Sequence, residues 1–309
     1  MGSELPNVRA AEASLRDSLR RGAVVHDIVM VGSDLAACDM SDAVLRRCRV
    51  QECCFSSADL RRCTFKEVEF ACSDFSGANL SESALIKVTL SGSSLAGANM
   101  TRSRVIVTDL TGVNLEGAIL MESDLNDTNL LQSNLTRAVF SSTRLVAAIF
   151  ASATFRLADL SQCVFESCRG NMASFERASL FSTRWSDTVV EDGNFEFADL
   201  RNAVFTRCWF GRSCFVGTAL EGTQFIECDL TGADFYWSDF DDSKCFGCEL
   251  KDIRRPEEQK IAYGPKGVKP PVVIPKPLYR QAITEEERQK LLASCLEPPS
   301  QTTDPEPKK

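Results

Sequence analysis

The chain has 309 residues, a formal net charge of −8 at neutral pH and 44% hydrophobic residues. His26 is the only histidine, which excludes imidazole triads and metal sites with several histidines. No apolar run is long enough to span a membrane and no secretory signal pattern is present, so we expect a cytoplasmic protein with reduced thiols.

Residues 1–22 are predicted to form a capping helix. Asn7 is a candidate N-cap for a helix over residues 8–21, whose apolar residues share one face, and Gly22 is a candidate stop. We expect this helix to cover the beginning of the structure that follows it.

Residues 23–252 follow a period of five. Of the 46 residues at positions 25, 30, 35 and so on to 250, all but Gly170 and Cys245 are Val, Leu, Met, Phe or Trp. At the position two residues earlier, 42 of 46 are Ala, Ser, Thr, Cys or Gly. Such a fixed short period predicts a solenoid.

The repeated unit consists of a small residue, Asp or Asn, a large apolar residue and two further residues. Examples are Ala58-Asp59-Leu60, Ala78-Asn79-Leu80, Ala98-Asn99-Met100, Ala158-Asp159-Leu160, Ala198-Asp199-Leu200 and Ala233-Asp234-Phe235. Over about three quarters of the chain, this unit resembles the pentapeptide-repeat family. The resemblance implies an all-β fold, a right-handed quadrilateral parallel β-helix with four units per coil, in which the small and large residues point inward.

With four units per coil, residues 20 apart should stack at about 4.8 Å, and the rod should be roughly 55 Å long. One internal column is then expected to contain Phe155, Phe175, Phe195, Phe215 and Phe235. Gly170 interrupts the large inward residues, so we expect a local bulge or kink there. Trp185 is a candidate to fill the space that Gly170 leaves.

Neither the cysteines nor the acidic residues point to catalysis. Nine of the 14 cysteines occupy the small inward position, where a thiol behaves as a small hydrophobic group. Asp or Asn precedes the large residue in unit after unit, which indicates hydrogen bonds to backbone at the coil corners rather than paired catalytic carboxylates. No phosphate-binding glycine loop is present. We therefore expect no enzymatic activity, no metal site and no cofactor.

The repeat carries an excess of acid. Residues 23–250 contain 31 acidic and 19 basic residues, which disfavours direct nucleic-acid binding. Near the C-terminal end lies an acidic cluster formed by Asp234, Asp239, Asp241 and Asp242. Some members of the family that this sequence resembles are DNA mimics that act on type II topoisomerases, so the resemblance makes a gyrase inhibitor or protector an alternative function. Interspersed arginines, among them Arg61 and Arg62, oppose that role, and acid also keeps a long rod soluble.

One outward column carries large side chains near the C-terminal end. It includes Phe197 and Trp237, and Val216 and Tyr236 lie beside it. Large aromatic residues that face water should be covered. One candidate cover is the apolar part of residues 272–279, running back along this face. The alternative is a protein partner or a second copy of the chain, for which the aromatic residues would supply most of the binding energy.

A weaker apolar stripe lies nearer the N-terminus. It consists of Ile86, Ile106, Val107 and Val146, and we expect it on the same side of the rod as the aromatic column. No segment of the chain is an obvious cover for this stripe, so it is a candidate for an external contact. The alternative is that β-branched residues simply favour strands there.

The composition changes abruptly after the repeat. Residues 253–283 are rich in proline and are predicted to be extended. Residues 284–297 are predicted to form a short helix that begins with a capping box at Thr284. Residues 298–309 are predicted to be a disordered tail.

These patterns favour a non-enzymatic, bacterial scaffold that binds a protein partner through the lateral face of the solenoid, the C-terminal segment or both. The sequence does not name the partner, and it leaves homodimer formation open. The topoisomerase-directed DNA mimic is the second hypothesis. The third, also implied by the family resemblance, is an accessory or effector of a secretion system, recognised through its C-terminal segment.

Overall fold

The structure, a computed structural model, describes residue 19, residues 21–241 and residues 244–256. These residues form a right-handed parallel β-solenoid of about 11 turns, with one parallel sheet of twelve strands and another of three. The described part contains no α-helix, and none of its segments is a helix that could cross a membrane. The predicted all-β fold is confirmed.

Each strand is short because it occupies only one side of a coil. The strands are β1 Val24–His26, β2 Val29–Val31, β3 Val44–Arg46, β4 Arg49–Gln51, β5 Thr64–Lys66, β6 Glu69–Ala71, β7 Ala84–Ile86, β8 Arg104–Ile106, β9 Asp124–Asn126, β10 Arg144–Val146, β11 Val164–Glu166, β12 Arg184–Ser186, β13 Val204–Thr206, β14 Gln224–Ile226 and β15 Cys245–Phe246.

Successive coils pair with a constant offset of 20 residues. Val25 pairs with Leu45 at one end of the larger sheet, and Phe205 pairs with Phe225 near the other. Isolated parallel bridges continue the same offset on the remaining sides of the rod. Four five-residue units therefore make one coil, as the family resemblance implies.

We number the four faces in the order in which the chain meets them. The first face contains the twelve-stranded sheet. The second begins with β2, β4 and β6 and continues as isolated bridges that include Trp209 and end at Glu249. Bridges from Asp34 to Arg254 make the third face, and bridges from Asp39 to Ala219 make the fourth. Residues ten apart in the coil consequently lie on opposite faces.

The large and small inward residues form one continuous core. Phe155, Phe175 and Phe195 are fully buried, and their rings stack at centroid distances of 4.9 Å. Phe215 and Phe235 continue this column at 4.8 Å. Stacked rings at the coil spacing bury a large apolar area in each coil, and the predicted phenylalanine column is confirmed.

The recurrent Asp and Asn residues stabilise the coil corners. The carboxylate of Asp159 accepts a hydrogen bond from the backbone N–H of Ser161 at 3.0 Å, and the amide oxygen of Asn99 accepts one from Thr101 at 3.0 Å. The same bond to the residue two positions later recurs in other coils. Since one role is repeated around the rod, these side chains are structural, as predicted.

Gly170 causes no bulge, so the prediction of a bulge or kink was wrong. Its N–H donates to the carbonyl of Val189 at 2.8 Å, and the ladder of bridges continues on both sides. A Cβ at position 170 would lie 1.8 Å from the ring of Phe150. The ring of Phe150 therefore occupies the space beside Gly170. Trp185 meets that ring edge-on at 6.3 Å and stacks on Phe165 at 3.7 Å.

Most cysteines lie in the core and all those described are free thiols. Burial raises the pKa of Cys63 to about 12 and that of Cys168 to about 11. The pKa of the fully buried Cys163 is also raised by burial. These thiols stay protonated near neutral pH and act as small hydrophobic groups, as their inward positions predicted.

Residues 1–18 and 20 of the predicted capping segment lie outside the described residues, and residues 19, 21 and 22, which are described, are not helical. Residues 257–283 of the predicted extended segment, the short helix over residues 284–297 and the tail over residues 298–309 also lie outside the described residues. At the C-terminal end, Ile253 is buried and Arg254 pairs with Asp234, so the regular coil extends to Arg254.

Candidate protein-binding surface

Large side chains cover the C-terminal half of the third face. We call Arg177, Phe197, Tyr236, Trp237 and Arg254 the aromatic–arginine surface. These residues come from four different coils, and the offset of 20 residues brings them onto one side of the rod. The five-residue period thus places separated residues side by side without requiring any loop.

Trp237 is the most exposed aromatic residue of this surface, with 58% of it accessible. Its ring stacks on Tyr236 at a centroid distance of 4.9 Å and an interplanar angle of 26°. The guanidinium group of Arg254 lies 4.0 Å from the centroid of the Tyr236 ring and also forms a salt bridge with Asp234 at 3.1 Å. Trp237 is therefore held in a fixed orientation by groups that are themselves anchored.

Phe197 extends the surface toward the N-terminus. It is half-buried, and its ring lies over the corner glycine Gly217, where a Cβ would be 2.6 Å from the ring. Gly217 has a φ of +65°, so its backbone is in the left-handed region, and the Phe197 ring leaves no room for a side chain at this corner. Arg177 lies 5.8 Å from the Phe197 centroid, and Val216 is half-buried beside them.

The second predicted stripe does not join this surface. Ile86, Ile106 and Val146 are half-buried at the ends of β7, β8 and β10, and Val107 is 49% exposed. They belong to the first face, half a coil away from the third. The expectation that both stripes share a side was wrong, because the five-residue phase was not counted over the full 20-residue coil.

The described members of the predicted acidic cluster each have a partner within the rod. Asp234 pairs with Arg254, and Asp241 forms a salt bridge with Lys244 at 3.3 Å. Asp239 accepts a hydrogen bond from the backbone N–H of Leu220 at 2.6 Å. Asp242 lies outside the described residues. The described members of the cluster thus have structural partners, and two are partly neutralised by cations.

Acid elsewhere on the rod is also paired between coils. Arg207 donates two hydrogen bonds of 2.7 Å to Asp187, and Arg212 binds Asp192 in the same bidentate manner. These hydrogen bonds hold the pKa of both aspartates below the ordinary range. The pairs are largely exposed, so each contributes little to stability. Together they break up the negative field.

Sequence reasoning missed several exposed apolar residues. Trp209 is 42% exposed on the second face, and Phe246 is 54% exposed on the first. Val29, Ile149 and Met172 are also exposed. All five stand at outward positions of the repeat, so following every outward column would have found them.

The described residues contain no group of three or more His, Cys, Asp or Glu side chains arranged to hold a metal ion. Burial raises the pKa of Cys63 and Cys168, which is opposite to what a nucleophilic cysteine requires.

A comparison with family models finds eight copies of the pentapeptide repeat in this chain. The matches cover residues 29–66, 73–106, 108–136, 133–169 and 215–244, which together exceed half of the chain. The chain belongs to the pentapeptide-repeat family. Pentapeptide-repeat proteins are generally structural or interaction proteins without enzymatic activity.

None of the curated proteins matches this pentapeptide-repeat chain. Among solved structures, it is similar to HetL, a pentapeptide repeat protein involved in heterocyst differentiation regulation from the cyanobacterium Nostoc sp. strain PCC 7120. The identity is 20%, the alignment covers 82% of this chain and 98% of HetL, and the TM-score is 0.45.

Two further structures have lower TM-scores. Full-length QnrB1, a plasmid-mediated fluoroquinolone resistance protein, is 18% identical over 75% of this chain and 93% of its own, with a TM-score of 0.22. A pentapeptide repeat protein from the Arabidopsis thaliana thylakoid lumen is 23% identical over 37% of this chain and 72% of its own, also with a TM-score of 0.22. At these identities the likeness concerns the fold alone.

Proposed function

We propose that this protein is a non-enzymatic scaffold that binds a protein partner through the aromatic–arginine surface. The observation that carries the proposal is Trp237, which is 58% exposed yet fixed by stacking on Tyr236. An aromatic residue that is already ordered loses little conformational entropy when a partner covers it. The proposal includes a bacterial source and a cytoplasmic location, and the free, buried thiols of the described residues favour the latter.

The chemistry of the surface is that of a protein-binding hot spot. Trp, Tyr and Arg are the residues most enriched at such sites, and they occur here together on adjacent coils. The guanidinium group of Arg254 is already packed on Tyr236, so its charge and the rings form one contact area. Gly217 lies between Phe197 and Trp237 on this surface, and the Phe197 ring covers it.

The second candidate is the DNA mimic, and the acid excess of residues 23–250 favours it. The inter-coil Arg–Asp pairs oppose it, because they alternate the sign of charge along the rod. A supercoiling assay with purified gyrase separates the two functions. Inhibition or protection that is lost on reversing Asp239 and Asp241 to Lys would favour the mimic over the scaffold.

The third candidate, a secretion-system accessory or effector, depends on the C-terminal segment. Residues 257–309 lie outside the described residues, so this candidate stays a prediction from the sequence. Removal of the segment would abolish recognition if it were the element that binds the partner.

Affinity capture from the native host tests the leading proposal. The full chain, a Trp237→Ala variant and a Trp209→Ala variant serve as baits, and captured proteins are quantified by mass spectrometry. Trp209 is a matched control because it is an exposed tryptophan on a different face. We expect a partner that Trp237→Ala loses and Trp209→Ala retains. Equal capture by all three baits would exclude this surface.

A further inference from the structure

We propose that the aromatic–arginine surface recognises a proline-rich segment in polyproline conformation, and that its occupant in the free protein is residues 265–279 of the same chain. This inference rests on the proposed function, since it treats the same surface as a protein-binding site. It adds the chemical class of the ligand, a proline-rich segment, and proposes that one such segment belongs to this chain itself.

The point at which the described chain ends supports an intramolecular occupant. The backbone of Arg254 donates to the carbonyl of Ala233 at 2.9 Å and accepts from the N–H of Phe235 at 2.8 Å. In that register, Pro256 follows Arg254 on the third face, in line with Tyr236 of the previous coil. The last described residue, Pro256, therefore lies in register with Tyr236 of this surface.

The sequence that follows has the composition that aromatic surfaces recognise. Residues 265–279 read Pro-Lys-Gly-Val-Lys-Pro-Pro-Val-Val-Ile-Pro-Lys-Pro-Leu-Tyr. Proline fixes φ and lacks an N–H, so such a segment is predisposed to the polyproline conformation and loses little entropy on docking. Proline-rich segments dock on surfaces lined by aromatic residues, as Tyr236 and Trp237 provide here.

The lengths agree. At about 3.1 Å per residue in the polyproline conformation, residues 270–277 span about 25 Å. The surface from Trp237 back to Arg177 crosses three coils, or roughly 14 Å at the spacing of paired strands. Residues 257–264 provide eight residues for the reversal of direction. The segment can thus cover the whole surface without strain in the connection.

The charges are compatible with a basic occupant, because the two arginines of the surface, Arg177 and Arg254, are paired with Glu176 and Asp234. Residues 265–280 contain four basic residues, Lys266, Lys269, Lys276 and Arg280, and no acidic residue. On the third face, Glu196 adjoins Phe197 and takes part in no salt bridge within the described residues. A basic segment lying along the surface would give this carboxylate a partner.

The indole N–H signals of the full-length protein test the proposal by NMR. The chain has three tryptophans, which gives three such signals, and Trp237→Phe and Trp209→Phe variants assign them. The test variant replaces Pro270, Pro271, Pro275 and Pro277 by Ser. A matched control replaces Pro298 and Pro299 by Ser.

We expect the test variant to shift the Trp237 signal and leave the Trp185 and Trp209 signals in place, whereas the control shifts none. Trp185 lies in the core against Phe165, so an unchanged signal shows that the rod is intact. A synthetic peptide of residues 265–280 should return the Trp237 signal of the test variant toward its original position, at concentrations that leave the parent protein unchanged. A Trp237 signal that the test variant does not move would overturn the proposal, as would a shift of Trp185.

Dilution distinguishes this occupant from a second copy of the chain. An intramolecular contact predicts a Trp237 signal that is independent of protein concentration, and a concentration-dependent signal would contradict it. Failure of this inference is separable from failure of the proposed function. If the proline variant leaves Trp237 unchanged while Trp237→Ala still loses the partner, only the intramolecular docking is wrong.

Discussion

The two halves of the third face have the same interior and different exteriors. In the N-terminal half, Phe55 and Phe75 stack inside at 4.7 Å, while outward positions of this half include Ala36, Gly77 and Gly97. In the C-terminal half, the same inward column continues, while the outward positions carry the aromatic–arginine surface. The inward residues therefore stabilise the same solenoid in both halves, and the outward residues give the two halves different surfaces.

The largest expected effect tests whether the interiors are equivalent. Phe75→Ala and Phe175→Ala each remove a buried, stacked ring and should each lower the free energy of unfolding by about 3–5 kcal/mol. Urea denaturation followed by circular dichroism measures both. A loss confined to one half would show that the two interiors do not contribute equally.

Buried thiols at equivalent positions give a pH test of the same point. Burial raises the pKa of Cys63 to about 12 in the N-terminal half and also raises that of Cys163 in the C-terminal half. A raised folded pKa favours the protonated form, so this stability is complete below about pH 8.5, the value for a free thiol, and falls as pH rises toward the folded value. Each thiol should lower the free energy of unfolding by about 1.4 kcal/mol per pH unit in that window.

Unfolding in urea at pH 7.5 and pH 9.5 measures this loss. Cys63→Ala and Cys163→Ala should each reduce the loss by a similar amount, because each removes one group that ionises in the unfolded chain. An unfolding free energy that does not decrease between the two pH values would contradict the burial of these thiols.

Most of the interior could be predicted from the sequence, because a five-residue period states directly which residues point inward. It predicted the phenylalanine column and the corner role of Asp159. It did not predict how Gly170 is accommodated, since that depends on the orientation of the Phe150 ring. The sequence also predicted the candidate surface from Phe197 and Trp237. It did not reveal the exposed Trp209, which lies on a different face. The two stripes were assigned to the same face in error. The position of a residue within its five-residue unit determines whether its side chain points inward, whereas its position within the 20-residue coil determines the face on which it lies.

Glycine substitutions at two equivalent corners test the difference between the outer surfaces of the two halves, with a smaller expected effect on stability. Gly97 and Gly217 occupy equivalent corners of the third face, with φ values of +64° and +65°. Gly97→Ala meets nothing within 4 Å and should cost only the left-handed backbone strain, about 1 kcal/mol. Gly217→Ala carries the same strain and also displaces the Phe197 ring, so it should cost more.

Thermal unfolding measures both glycine variants, and the binding assay for the partner provides a second readout. Gly217→Ala should also weaken partner binding, whereas Gly97→Ala should not. Equal effects of the two variants on stability and on binding would mean that Phe197 is not held by its contact with Gly217.

The central claim is that binding resides in the aromatic–arginine surface. Its most direct test is the dissociation constant of the purified partner for the parent protein, Trp237→Ala and Trp209→Ala, measured by isothermal titration calorimetry. A hot-spot residue contributes about 2 kcal/mol or more, so Trp237→Ala should weaken binding by roughly 30-fold or more, and Trp209→Ala should change it by less than about threefold. Equal affinities of the parent and Trp237→Ala would contradict the account.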